Sequence, residues 1–250
     1  MSALIALSGK GGVGKTTLAG MFVRQLVEQG RKPVLAIDAD PNSCLDVSLG
    51  VEVTSTIGRA RESVKEEADA LKISKQELLR MKIQESLVES KGFDLISMGR
   101  PEGAGCYCYA NNVLKQAIQE LADQYPYVVL DNEAGLENLS RRIVTAVDTL
   151  ILISDASKAG IRTLERLYEL AKEMGVEYRK LVLVINRTRG TDVPALALEA
   201  KEKTGAEEVI ALPYDDQIAL FAEESKEVWD IPVDNPVYEA IGGLIARILG

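Results

Sequence analysis

The segment Gly9-Lys10-Gly11-Gly12-Val13-Gly14-Lys15-Thr16 constrains the fold more than any other part of this 250-residue chain. It fits the pattern G-x-x-x-x-G-K-[ST]. The apolar run Ala3 to Leu7 precedes it, and a stripe of Leu18, Phe22, Gln25, Leu26 and Gln29 follows, ending at Gly30. Strand, glycine-rich turn and helix in that order let backbone N–H groups curl around phosphate oxygens while the helix N-terminus faces the anion. Gly11, Gly12, Val13, Gly14, Lys15, Thr16 and Thr17 are therefore the expected nucleotide-binding residues. Lys15 is expected to meet the β- and γ-phosphates, and the Thr16 hydroxyl to ligate Mg²⁺.

Six further apolar runs recur along the chain: Pro33 to Ile37, Phe93 to Ser97, Tyr127 to Leu130, Thr149 to Ser154, Leu181 to Ile185 and Val209 to Leu212. Short apolar runs separated by helix-length amphipathic stretches read as buried parallel strands, so the expected fold is α/β, a doubly wound, mostly parallel sheet flanked by helices. Besides the helix after the phosphate loop, helices are expected at about 111–124, 159–174, 193–204 and 235–249. Residues 55–91 carry a dense mix of Arg, Lys and Glu and read as a helical insertion, either solvated helices on the sheet edge or a surface for a partner protein. No linker or repeat interrupts the chain, which predicts one domain over 1–250.

Charge narrows the partners. With 29 basic against 38 acidic residues the net charge is −9, which argues against nucleic acid and acidic membrane surfaces. There is no histidine, which removes imidazole acid–base chemistry and imidazole zinc sites. Three cysteines, Cys44, Cys106 and Cys108, are too few for a disulfide framework and suit a reducing, cytoplasmic setting. The first residues lack the basic region of a signal peptide.

Carboxylates stand at two expected strand ends. In Ile37-Asp38-Ala39-Asp40-Pro41-Asn42 the D-x-D pair points toward the crevice where ligands bind in such sheets, and Val128-Val129-Leu130-Asp131 ends as a Walker B element does. Base choice is readable in Asn186-Arg187-Thr188-Arg189: a guanine site would need an acidic acceptor where Arg189 stands, so adenine, and hence ATP or ADP, is expected. The pair Cys106-Tyr107-Cys108 brings two sulfurs to one side of an extended segment, close enough to grip one metal ion. A two-fold dimer would complete a four-sulfur site, tetrahedral for Zn²⁺ or flattened for Ni²⁺. The alternative is two cysteines packed as small hydrophobes.

The second lysine of the loop, Lys10 in K-G-G-x-G-K-T, carries a resemblance to the deviant Walker A ATPases, the family of the nitrogenase iron protein, the Min and Par positioning ATPases and the metal-centre maturation ATPases. That resemblance implies an ATP-dependent homodimer in which Lys10 reaches the partner's phosphates, so that Lys10, Lys15 and Asp40 are the catalytic set. It further implies that Asp38 and Asp131 support magnesium with Thr16. Asp40 would orient water in the first switch, Ala134 and Gly135 would form the second, and Asn186 with Pro213 and Tyr214 would bracket adenine.

The block from Gly99 to Asn112, with Asp131, Glu133, Ala134, Gly135 and Glu137, is similar to the nickel-inserting ATPases that mature carbon monoxide dehydrogenase and to the related accessory protein of acetyl-CoA synthase. One departure is Asn138, where histidine is expected after the glutamate. The implied function is a metallochaperone whose client is a nickel enzyme and whose Cys106 and Cys108 carry Ni²⁺. Two rivals remain: a dimer bridged by an iron–sulfur cluster that donates electrons, and a Min or Par positioning ATPase. For the latter, Val237, Ile241, Leu244, Ile245 and Ile248 offer an apolar face with only Arg247 as a basic neighbour, so docking on the chain's own core is expected instead of a membrane.

Overall fold

A computed structural model describes residues 2–40, 42, 44–60, 63, 64, 67, 72–99, 118–135 and 146–250. Among the described residues eight strands form one sheet: β1 (Ala3–Gly9), β2 (Val34–Asp38), β3 (Val88–Glu89), β4 (Phe93–Ser97), β5 (Tyr127–Ala134), β6 (Ala146–Asp155), β7 (Glu177–Thr188) and β8 (Glu208–Pro213). Their spatial order is β3-β4-β2-β5-β1-β6-β7-β8, and every neighbouring pair is parallel except β3 with β4.

The seven apolar runs lie in seven of these strands. They are apolar throughout because both faces of a parallel sheet are covered. Val34 to Ile37 and Leu150 to Ile153 are all buried, alternate residues serving opposite layers. Ladder pairing carries β5, β6 and β7 beyond their apolar runs, with Ala146 paired to Glu177 at the outer end. The antiparallel β3 was not expected; two residues at a sheet edge leave no periodic signal.

Among the described residues the sheet is flanked by α1 (Lys15–Glu28), α2 (Leu45–Leu49), α3 (Lys75–Glu85), α4 (Lys158–Glu173), α5 (Ala195–Thr204), α6 (Asp216–Glu223) and α7 (Pro236–Leu249), with further helical residues at 57–60 and 118–122. The helices α1, α4, α5 and α7 match expectation closely. Of the helix expected at 111–124, residues 118–122 are described and helical. The charged segment 55–91 does more than line the sheet edge. Ile57, Val64, Leu78, Leu79 and Ile83 are buried in one cluster with Leu35, Ile37 and Ile96, so the described residues of the segment pack on one face of the sheet.

The other face is covered by α1 and α7. Val237, Ile241, Leu244, Ile245 and Ile248 are all buried there with Met21, Phe22 and Leu26. Among the described residues no helix is long and apolar enough to cross a membrane.

One buried cation ties α1 to the chain that leads into α7. Arg24, 4% exposed, donates to the carbonyls of Val228 at 2.7 Å and Ile231 at 2.6 Å and to Glu28 at 2.7 Å. Its guanidinium lies 4.3 Å from the centre of the Tyr238 ring, and the Tyr238 hydroxyl donates to the other Glu28 oxygen at 2.8 Å. Arg24→Ala strands two buried carbonyls and opens a void. It is expected to cost about 3 kcal/mol of stability, read as a lowered denaturation midpoint in urea.

Candidate nucleotide site

The phosphate loop leaves the C-terminal end of β1 in the middle of the sheet. At Gly9 the backbone of β6 comes so close that a Cβ would overlap the Ile153 carbonyl oxygen, which explains the glycine. Gly12 and Gly14 take φ of 78° and 94°, the left-handed region where only glycine is unstrained. The turn ends directly in α1. Unlike α3, α4, α6 and α7, this helix has no side-chain cap: Gly14 stands at its N-cap and leaves the first-turn N–H groups for an outside acceptor.

Lys15 is 7% exposed, and its Nζ donates to the Lys10 carbonyl at 3.3 Å, curled over its own loop. Burial pulls its pKa down from 10.5, while Asp131, Asp40 and Glu133 pull the other way. An ammonium on the first residue of a helix whose N-terminal N–H groups have no side-chain cap fits a phosphate.

Asp38, the last residue of β2, is the register partner of Asp131 in β5, so both side chains leave the same face of the sheet beside α1. They differ in how they are held. Asp38 accepts from the Asp40 and Leu45 backbone N–H groups, each at 3.0 Å, and so anchors the turn between β2 and α2. Among the described residues neither Asp131 oxygen has a hydrogen-bond partner of normal geometry, although the residue is 1% exposed. Burial raises the Asp131 carboxyl to about 7, with Thr16 nearby favouring the charged form and Asp38 opposing it. Burial likewise raises Asp38 to about 6, against its two backbone donors.

An orphaned, buried carboxylate beside a threonine and a phosphate-shaped loop fits a hydrated Mg²⁺, which takes one or two carboxylates plus phosphate oxygens. Among the described residues no group of three or more Cys, Asp or Glu forms a metal cage of its own.

The two raised acids link stability to pH with a fixed sign. In the empty protein they retain protons that the unfolded chain releases near 3.8, so stability falls as pH rises from about 4 to about 7. Asp131→Asn removes most of that fall. In EDTA at pH 8 the variant is expected to melt above wild type, at roughly 2–4 °C per kcal/mol regained, while Mg²⁺-dependent ATP hydrolysis drops. A variant that melts at the wild-type temperature at pH 8 would contradict the orphaned-charge account.

The remaining sequence-predicted residues are arranged around this centre. Asp40, half-buried, accepts from the Asn42 N–H at 2.8 Å through Oδ1. Ala134 ends β5 opposite Gly11, 3.8 Å from where a Gly11 Cβ would stand. Gly135 donates its N–H to the Gly9 carbonyl at 3.0 Å, and its own carbonyl accepts from the Ser8 hydroxyl. The end of β5 at Ala134 and Gly135 is thus bonded to the root of the phosphate loop, and Ser8 is a part of this arrangement that sequence reasoning missed.

Asp155, also missed, ends β6 near Lys10. Bonds from Ser157 hold its carboxyl below the usual range against partial burial, and Lys10 and Arg187 add attraction.

Asn186, Pro213 and Tyr214 line one pocket together with Gly14, Thr17 and Asp215. The Asn186 carboxamide is already engaged at both ends: Nδ2 donates to the Val13 carbonyl at 2.8 Å, and Oδ1 accepts from the Arg187 N–H at 2.9 Å. Cys44 is exposed, and burial, then Asp38 and Asp40, push its thiol pKa up, which suits no nucleophile. Cys106, Cys108, Glu137 and Asn138 lie outside the described residues.

Comparison with known proteins bears on this geometry. A family profile described as AAA domain matches residues 2–183. An uncharacterized ATP-binding protein of Methanocaldococcus jannaschii is 42% identical over 250 residues, 98% of each chain. The carbon monoxide dehydrogenase accessory protein of Rhodospirillum rubrum is 30% identical over 189 residues, 69% of this chain and 70% of that one. Among solved structures, the MinD cell division protein of Aquifex aeolicus superposes with a TM-score of 0.69 at 23% identity over 100% of this chain and 97% of its own. The MinD of Pyrococcus horikoshii complexed with Mg-ADP gives 0.71 at 21% over 99% and 96%.

Proposed function

The chain belongs to the AAA-domain family of P-loop ATPases of the MinD and ParA type, and from that premise we propose that it is an ATP-dependent metallochaperone that carries nickel to a carbon monoxide dehydrogenase or acetyl-CoA synthase. The observation that carries the cargo is Gly105-Cys106-Tyr107-Cys108, in a chain 30% identical to a carbon monoxide dehydrogenase accessory protein. Two thiolates per chain leave a soft divalent ion half-coordinated, so the complete site needs a second copy. Family members of this type dimerise, and a nucleotide-driven homodimer supplies that copy.

In this reading Lys15 and the α1 N-terminus hold the phosphates, and Thr16 with Asp131 holds magnesium, which neutralises charge on the phosphate oxygens when bound. Asp38 keeps the first switch in place so that Asp40 orients water, and Lys10 reaches the partner's phosphates. The Gly135 to Gly9 bond gives loss of the γ-phosphate a direct path to the segment that follows β5.

A Min or Par positioning role is the second reading, favoured by the solved structures the chain superposes on and by a relative, a septum site-determining MinD of Bacillus subtilis, 29% identical over 191 residues, 75% of this chain and 65% of that one. Against it, the apolar face of α7 is spent on α1, as a membrane-seeking helix would not allow.

The two readings part on one titration. Reduced, metal-free protein is titrated with Ni²⁺ and followed by absorption and molecular mass. A sulfur-to-nickel band saturating at one ion per two chains, with dimerisation, supports the metallochaperone. No band in the folded, ATP-hydrolysing protein returns the positioning role.

A further inference from the structure

Strand β7 bulges where it reaches the nucleotide site. Its register with β8 runs to Ile185, opposite Ala211, and resumes only at Thr188, opposite Pro213. Within the bulge Arg187 takes φ of 57°, a left-handed conformation that a non-glycine residue keeps only when something holds it. The hold is its own N–H, donated to Asn186 Oδ1 at 2.9 Å.

The other end of that carboxamide turns toward the phosphate loop, where Nδ2 donates to the Val13 carbonyl at 2.8 Å in a buried bond. The approach is close: a Cβ on Gly14 would stand 2.8 Å from Asn186 Nδ2. Asn186 is 9% exposed, and water has little room to replace it. A trans peptide is planar, with its C=O and N–H pointing opposite ways. Pinning the Val13 oxygen against β7 therefore aims the Gly14 N–H away from β7 and sets the turn that delivers Lys15 and Thr16. The same bulge carries the wall of the base pocket, because the Tyr214 N–H donates to the Thr188 carbonyl at 2.7 Å.

We propose that Asn186 is a positioning residue for the phosphate loop: its Nδ2–H to Val13 carbonyl bond holds the Val13-Gly14 turn in its phosphate-binding shape, independent of any contact with the base. The proposal deepens the Mg-ATP reading of this site and rests on it.

The test compares a ligand with no base, Mg-tripolyphosphate, with Mg-ATP, by calorimetry on wild type, Asn186→Asp and Asn186→Ala. Aspartate is nearly isosteric but has no N–H to donate; alanine adds no charge and carries the same comparison where the aspartate variant does not fold. Both ligands are expected to weaken by the same factor, on the order of tenfold or more. Amide hydrogen exchange is expected to speed up at Gly14 to Thr16 and to stay at wild-type rates in α4, a local signature that general destabilisation would not give.

A loss for ATP with unchanged tripolyphosphate affinity would reduce Asn186 to a base contact and overturn the proposal, as would unchanged affinity for both. Wild-type protein that binds neither ligand would remove the Mg-ATP reading itself, and the proposal with it.

Discussion

Lys10→Ala is expected to abolish ATP hydrolysis while nucleotide binding survives. Lys15 already serves its own loop, buried and bonded back to the Lys10 carbonyl. The Lys10 side chain is exposed, and within a single chain its charge acts on the Asp155 carboxyl at the end of β6. An exposed lysine on the rim of a phosphate site is placed to complete another chain's site. A cation supplied in trans to a transferring phosphoryl group contributes about 10³–10⁵ in rate, so the variant's turnover should fall by at least about a thousandfold. Steady-state phosphate release, with binding followed by a fluorescent nucleotide, reads both halves of the prediction. Wild-type turnover in Lys10→Ala would sink the trans-lysine model.

The second large effect concerns the cargo. Cys106→Ala combined with Cys108→Ala is expected to eliminate stoichiometric Ni²⁺ binding and leave ATP binding as in wild type, because thiolate is the soft ligand and the chain has no histidine to replace it. Equilibrium dialysis with Ni²⁺, alongside ATP titration, separates the two. Undiminished nickel affinity would refute the thiolate assignment. Zn²⁺ should compete at the same sulfurs, since both ions bind thiolate well.

Much of the fold was readable because its signals are local. An apolar strand, a glycine turn and an amphipathic helix define β1, the phosphate loop and α1, and seven apolar runs mark seven strands. What escaped depends on contacts distant in sequence. The pairing of β3 with β4 covers two residues, too few for a periodic pattern, and α6 spans only eight, with Ile218 and Phe221 partly buried against the core.

The charged segment 55–91 read as solvated helices on the sheet edge or a partner surface, and that Ile57, Leu78, Leu79 and Ile83 join the core depends on contacts outside the segment.

The site divides in the same way. Lys15, Asp38 and Asp131 were legible from motif and strand-end position. That Asp131 has no hydrogen-bond partner of normal geometry among the described residues while Asp38 has two, and that Ser8 bonds to Gly135, follow only from the register of β5 beside β1 and β2. Asn186 was found by its place at a strand end, but its grip on Val13 lies 173 residues away in the chain and has no sequence signature.

The central claim is that nucleotide state controls a metal site shared between two chains. Its most direct measurement is the Ni²⁺ affinity of the reduced protein with ADP and with a non-hydrolysable ATP analogue, read with the stoichiometry and mass of each complex. The account predicts one nickel per two chains and affinities at least about tenfold apart, a coupling of about 1.4 kcal/mol or more between the sites. Equal nickel affinity in both nucleotide states would contradict it.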